Sequence, residues 1–302
     1  MKSNTLELTS RDDAIREERK RRALTPGGIA KRKQKNRDRF LLYGPLTMYV
    51  IFSAVPFYWM FLFAVRPSGS TSLVPWPMTF EHFRTVWFGI GFGVFFKNSV
   101  FVATLSLVLT SVVALLGGYA LARYQFRWKA AFLVAMICTQ FVPGSMMLIP
   151  LFEIFRSLGL INSLTSLIIV NTVFGLPLSI ILMYGFIRNI AVELEEAAWV
   201  DGCSRLQAFR IIMLPLMRPG IVGVGAFAFI DSWNNFLFAL MFLNVQDQFT
   251  VPVGLSYMLG DFSVDFGALA AGGVIAAVPV VIVFAYVQKF LVQGLSAGAV
   301  KG

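Results

Sequence analysis

Apolar residues run through this chain in long stretches broken by short polar segments. Six of the runs, 40–65, 94–122, 130–155, 164–187, 217–243 and 266–292, reach the roughly 20 residues a helix needs to cross a hydrocarbon core of about 30 Å. The pattern predicts an all-α membrane protein with six transmembrane helices. Pro143-Gly144 and Pro177 interrupt the third and fourth runs. Such breaks are tolerated where neighbouring helices satisfy the freed backbone groups. Gly117-Gly118 and Gly272-Gly273 fit close helix packing.

Composition sharpens this picture. The chain is 57% hydrophobic and 14% charged over 302 residues, whereas a soluble domain carries about 25% charged residues. Half of the 26 basic residues lie in residues 1–39. With that tail in the cytoplasm, the loops after the second and fourth runs also carry their Arg and Lys inside, and only Arg66, Arg84, Lys97 and Arg156 fall outside. By the positive-inside rule both termini are cytoplasmic, in an inner or plasma membrane. The net charge of +10 reflects this asymmetry and gives no case for nucleic acid.

Residues 1–39 read as a basic, disordered cytoplasmic tail, with a short helix at Asp12 to Arg22 and a break at Thr25-Pro26-Gly27-Gly28. Its basic run against the first span has two readings, contact with membrane lipid or a topogenic segment alone. Residues 40–302 form the membrane domain. The lone His82 reads as a surface residue of the first outer loop, with no metal site near it.

The segment 188–215 is the polar exception between two apolar runs. Val192 to Val200 holds good helix formers with acids near its start, which suits a positive helix N-terminus. Asp201-Gly202 marks a stop, Ser204 a cap, and Pro215 the end or bend of a second short helix. The expectation is a helix-turn-helix knob in which Trp199 and Phe209 serve as apolar anchors for a partner.

Within that knob, Glu196-Ala197-Ala198, Gly202, Ile212, Leu214 and Pro215 stand at the spacing Glu-Ala-Ala, three residues, Gly, nine residues, Ile, any residue, Leu, Pro. Here the chain resembles the integral membrane subunits of bacterial ABC importers. Asp201, Pro219, Ser232-Trp233-Asn234-Asn235-Phe236 and the C-terminal Val292 to Gly302 resemble the carbohydrate branch, the last of these the second permease of maltose-type transporters. Cys203 and Asn235 depart from that pattern, standing where alanine and an acid are common.

The resemblance covers about 40–302 and implies a type I ABC importer permease fold. It makes the knob a coupling helix seated on an ATPase. It places a C-terminal tail at about 292–302, with Gln293 and Gly294 reaching between the ATPase subunits. The implied partners are a second homologous permease, two ATPase subunits, an extracytoplasmic solute-binding protein and a carbohydrate substrate. The chain has no Gly-x-x-x-x-Gly-Lys-[Ser/Thr] loop, so ATP is expected on another chain. The resemblance implies no cofactor on this chain, with ATP and Mg in the partner ATPase.

Polar residues inside the runs have two readings, a hydrophilic pathway or interhelical bonds. Asp231, near the middle of the fifth run, and Asn234 and Asn235 on its face are the pathway candidates. Asn171, Gln140 and Asn98 read as interhelical contacts. A permease for another solute and an ion-coupled carrier are the rival functions. The carrier would place acids in several spans, whereas Asp231 stands almost alone.

Overall fold

A computed structural model describes residues 26–259 and 265–298, with side chains from 41 to 259 and from 265 to 290. The helix expected at Asp12 to Arg22 lies outside these residues. The chain divides into two units, Met1–Trp59 and Met60–Gly302. Described residues of the first belong to α1 (Pro26–Val65), whose last turn enters the second. Residues 26–39, expected as disordered tail, are therefore helical. Pro26 is tolerated in the first turn, and extending an existing helix through Lys, Arg and Gln requires no new nucleus.

The second unit contains no strand among its described residues. Its helices are α2 (Glu81–Arg84), α3 (Phe92–Arg123), α4 (Lys129–Thr139), α5 (Leu148–Ser157), α6 (Leu164–Arg188), α7 (Glu193–Val200), α8 (Arg205–Ala208), α9 (Leu214–Trp233), α10 (Leu237–Phe242), α11 (Val251–Tyr257) and α12 (Phe266–Gly298). Among the described residues, α1 included, five helices are long and apolar enough to cross a membrane, or six if the bent pair α4–α5 counts as one span.

Two spans differ from the expectation. The third is not one helix over 130–155: its two halves meet at 87°. Pro143 has no N–H and disfavours helical backbone at the residue before it, so the chain leaves α4, turns at Gly144–Met147 and restarts. The fifth begins earlier and ends earlier than 217–243. It runs without a gap from Arg205 to Trp233, through a π turn at Phe209–Met213.

At the centre, α3 packs along α6 and α9. Glycine permits this at Gly118, where an added Cβ would stand 2.8 Å from Met183 Cγ and 3.0 Å from the Tyr184 backbone nitrogen. The core has two parts. One is aromatic, with Phe92, Phe95, Phe155, Phe242 and Phe249 buried near the start of α3. The other is aliphatic, with Leu121, Met183, Ile187, Met213 and Met217 near its end.

Polar bonds tie down the aromatic end. Asn98 donates to the carbonyls of Asp247 at 2.9 Å and Phe249 at 3.0 Å. Asn162, at φ 60°, accepts from the Asn244 N–H at 2.5 Å and donates its own N–H to Phe242 O at 2.8 Å. Asparagine tolerates that left-handed backbone better than most residues. His82 is buried rather than on the surface. Its Nε2 lies 3.1 Å from Arg66 O, and a carbonyl only accepts, so the Nε2 proton sits there. Its Nδ1 is 3.9 Å from Asp265. Tertiary closure of the loop over α12 buries the ring, which no local pattern announces.

Candidate functional site

The opposite end of the bundle carries the 188–215 knob. Helix α7 begins with Glu193, Glu195 and Glu196 in its first turn, facing its positive terminus. It stops by a Schellman closure. The Cys203 N–H reaches Ala198 O at 2.9 Å and the Gly202 N–H reaches Trp199 O at 3.1 Å. Gly202 takes the left-handed position of that closure, φ 89°. Ser204 then opens α8 with a capping box: its Oγ accepts from the Gln207 N–H, and Gln207 Oε1 accepts from the Ser204 N–H at 2.7 Å.

The helix that continues from Arg205 to Trp233 is not ended by Pro215. The π turn before it lets the Leu214 N–H bond Phe209 O, and this wider ladder accommodates a proline that would clash with the carbonyl four residues back. Ile212, Leu214 and Pro215 are half-buried around the fully buried Met213, so they root the knob in the bundle.

One buried ion pair fixes α7 in place. Glu195, 2% exposed, pairs through Oε1 with Arg123 Nε at the end of α3. Its Oε2 accepts from the Tyr119 hydroxyl at 2.6 Å. Arg123 Nη2 also donates to Ile190 O at 3.0 Å, so one guanidinium grips both α7 and the chain leading into it. Tyr119 in turn meets Phe209 edge-on at 4.9 Å. Sequence reasoning missed this seat. Its only signal was an acid on the inward face of α7 and an Arg ending an apolar run.

The seat sorts the predicted residues into two faces. Glu196, Ala197, Asp201 and Gly202 are exposed, as is Val200 at 88%. Ala198 is buried beside Glu195 and packs the knob onto the bundle. Phe209 turns inward onto Tyr119 and is half-buried, so it is not an outward anchor. Trp199 is partly covered by the Arg205 guanidinium at 5.6 Å.

The expected pathway residues do not share one helical face. Asp231 sits in the last turn of α9 rather than at the middle of a span, Asn234 caps that helix, and Asn235 lies beyond it. Asp231 and Asn234 are exposed. Asn235 is bound internally: its Nδ2 donates to Asn171 Oδ1 at 2.5 Å and its Oδ1 accepts from the Phe238 N–H at 3.3 Å. Asn171 Nδ2 donates to Ser232 Oγ at 2.6 Å. Amides that bond side chains and neighbouring N–H groups compete with the helix, which accounts for its end here despite the apolar run beyond. Gln140, expected as an interhelical contact, stands exposed at the end of α4. Gln293 and Gly294 fall in the last turns of α12, and their side chains lie outside the described residues. No group of three or more His, Cys, Asp or Glu able to hold a metal occurs among the described residues.

Comparison with known proteins agrees with this architecture. The model of the family described as binding-protein-dependent transport system inner membrane component matches residues 114–297. The diacetylchitobiose uptake system permease protein DasC of Streptomyces coelicolor is 37% identical over 252 residues, 82% of this chain and 91% of DasC. The trehalose transport system permease protein SugB of Mycobacterium tuberculosis is 32% identical, over 85% of this chain and 95% of SugB. The sulfoquinovosyl glycerol transport system permease protein SmoH of Agrobacterium fabrum is 39% identical over 69% of this chain and 73% of SmoH. Among solved structures, a chain of a bacterial ABC transporter for import of the acidic polysaccharide alginate shares the fold, with a TM-score of 0.72 at 22% identity over 84% of this chain and 97% of that one. A family match that takes in the whole knob, and relatives aligned over most of their length, lead to one assignment: the chain belongs to the binding-protein-dependent transport system inner membrane components, the multi-pass permeases of bacterial ABC importers.

Proposed function

We propose that this chain is one half of the transmembrane pathway of an ATP-driven carbohydrate importer. It pairs with a homologous second permease, rests on two ATPase subunits that bind ATP and Mg, and receives a sugar, oligosaccharide or sugar derivative from an external binding protein. The relatives named for diacetylchitobiose, trehalose and sulfoquinovosyl glycerol support the substrate class. A solved complex of the alginate transporter with its periplasmic protein supports the docking partner. The knob faces the cytoplasm, as do both termini: Arg127, Lys129, Arg188, Arg205, Arg210 and Arg218 cluster in sequence around it, on the basic side of the topology.

The observation that carries this reading is the split between the faces of α7. Glu195 and Ala198 lock the helix onto the bundle, while Glu196, Ala197 and Val200 lie exposed on its other side. A rigidly seated helix with a small, apolar and acidic outer strip fits a groove in a basic partner. Force on that strip passes through Glu195 and Arg123 into α3, the central span. ATP-driven closure of the ATPases thereby switches the pore between inward-open and outward-open states. Gln293 and Gly294 make a second ATPase contact. Asp231 and Asn234 offer polar groups to a passing sugar, and Asn235 holds the chain that presents them.

Uptake of labelled disaccharides in cells lacking the chain, with and without the gene restored, tests the function. Restored uptake that survives a protonophore and stops on ATP depletion is the expected result. Uptake driven by the proton gradient sinks the proposal. Val200→Cys should form a disulfide-length crosslink to an ATPase cysteine, and labelling of Val200→Cys only from outside the cell would reverse the topology.

A further inference from the structure

Beside the knob, at the level where three spans end, a surface cavity of about 490 Å³ opens between the α3–α4 turn and the end of α6. Gln125, Arg127, Lys129, Leu133, Tyr184 and Arg188 are among its lining, which contains no carboxylate. Its volume falls in the range of roughly 300–1,000 Å³ typical of small-molecule sites. Among the described residues, none of its three cations forms an ion pair with an acid. Lys129 lies 5.4 Å from the Tyr184 ring and donates to Tyr124 O at 3.4 Å, and Arg127 lies 5.6 Å from the Trp128 ring. Three like charges around one hollow repel each other, and an anion there relieves the repulsion.

We propose that this cavity binds the phosphodiester headgroup of an anionic phospholipid. Lys129 is the first residue of α4 and Arg188 the last of α6, so the cations stand at span ends, where headgroups lie. Trp128 and Phe126 are exposed on the same turn, as interfacial aromatics are. Along α4 from Leu133 of the lining, Val134 and Ile137 are exposed and apolar, a surface for acyl chains. A free phosphate would use the rim and leave that flank idle. Basic pockets between spans on the cytoplasmic side are a recognised form of lipid headgroup site. This inference rests on the cytoplasmic orientation proposed above and stands apart from the choice of transported solute.

The test uses the assembled transporter in nanodiscs of phosphatidylcholine doped with phosphatidylglycerol, followed by native mass spectrometry of retained lipid. Phosphatidylglycerol should be retained over phosphatidylcholine. The pair Arg127→Gln with Arg188→Gln should lower that preference about fivefold per charge, on the order of 25-fold together. Arg127→Lys with Arg188→Lys should keep most of it. Equal retention of the two lipids, or a preference untouched by neutralisation, overturns the proposal. Displacement of the lipid by millimolar inorganic phosphate assigns the site to a free anion instead. Loss of a partner subunit from the neutralised variant, with lipid retention unchanged, assigns it to a protein contact.

Discussion

Arg123, at the end of the central span, and Glu195, in the first turn of the knob helix, are joined in a buried ion pair across 72 positions of sequence. The same guanidinium holds Ile190 O, and the same carboxylate holds the Tyr119 hydroxyl. Removing one partner of a buried pair strands the other and costs about 3–5 kcal/mol. Glu195→Ala should therefore loosen the knob, and uptake and ATPase stimulation should fall together while membrane insertion persists. Protease cleavage within 188–215 reports the loosening directly. The exchange Arg123→Glu with Glu195→Arg should recover part of what either single change loses. Additive losses in that cycle would show that the two residues act separately.

At Gly202 the backbone, not the space, sets the demand. Its φ is 89°, yet an added Cβ would meet nothing within 4 Å. A left-handed residue other than glycine costs roughly 1–2 kcal/mol, less for asparagine. Gly202→Asn should keep most transport and Gly202→Val should lose it, although neither side chain collides with this chain. Equal loss with both would point to a partner packed against the position instead. Uptake at matched expression decides between them.

Features written in adjacent residues are legible in the sequence itself. The Asp201-Gly202 stop and the Ser204 cap depend on bonds within five residues, and both lie where the pattern puts them. Pro143-Gly144 signals a break, but the 87° between its halves is set by packing, which the apolar run does not encode. The end of the fifth span is misjudged from the pattern because Leu237 to Leu243 prolongs the hydrophobicity past Trp233. At the stop, Asn235 Oδ1 takes the Phe238 N–H, and Asn171 on another span holds Asn235 in that position through the Asn235 Nδ2. The seat of Glu195 and the burial of His82 are likewise tertiary. Their partners stand 76 and 72 positions away in the first case and 16 in the second.

The Ser232–Asn171–Asn235 chain of hydrogen bonds should behave as one unit. Asn171→Leu leaves Ser232 Oγ and Asn235 Nδ2 without their partner. Each interhelical bond of this kind contributes about 0.6 kcal/mol on average, with a maximum near 1.7. Thermal unfolding in detergent should therefore show a modest loss for Asn171→Leu and for Asn235→Ala. The double variant should lose less than the sum of the two. A full sum would mean that the amides do not share a bond.

Adjacent glycines on α3 offer the sharpest test of the packing that carries motion from the knob. A Cβ at Gly117 would meet the Ile180 side chain at 3.6 Å, an ordinary contact, whereas one at Gly118 would stand 3.0 Å from the Tyr184 backbone nitrogen and closer to Met183. Backbone cannot swing aside as a side-chain end does, so Gly118→Ala must spread α3 from α6. That spreading acts next to Tyr119, whose hydroxyl holds Glu195. Gly118→Ala should therefore lower both thermal stability and coupled ATPase activity. Overpacking of this kind costs typically 1–3 kcal/mol. Gly117→Ala, one methyl away, should stay close to the parent in both measurements. Equal behaviour of the two variants would mean that the α3–α6 approach is looser than these distances state.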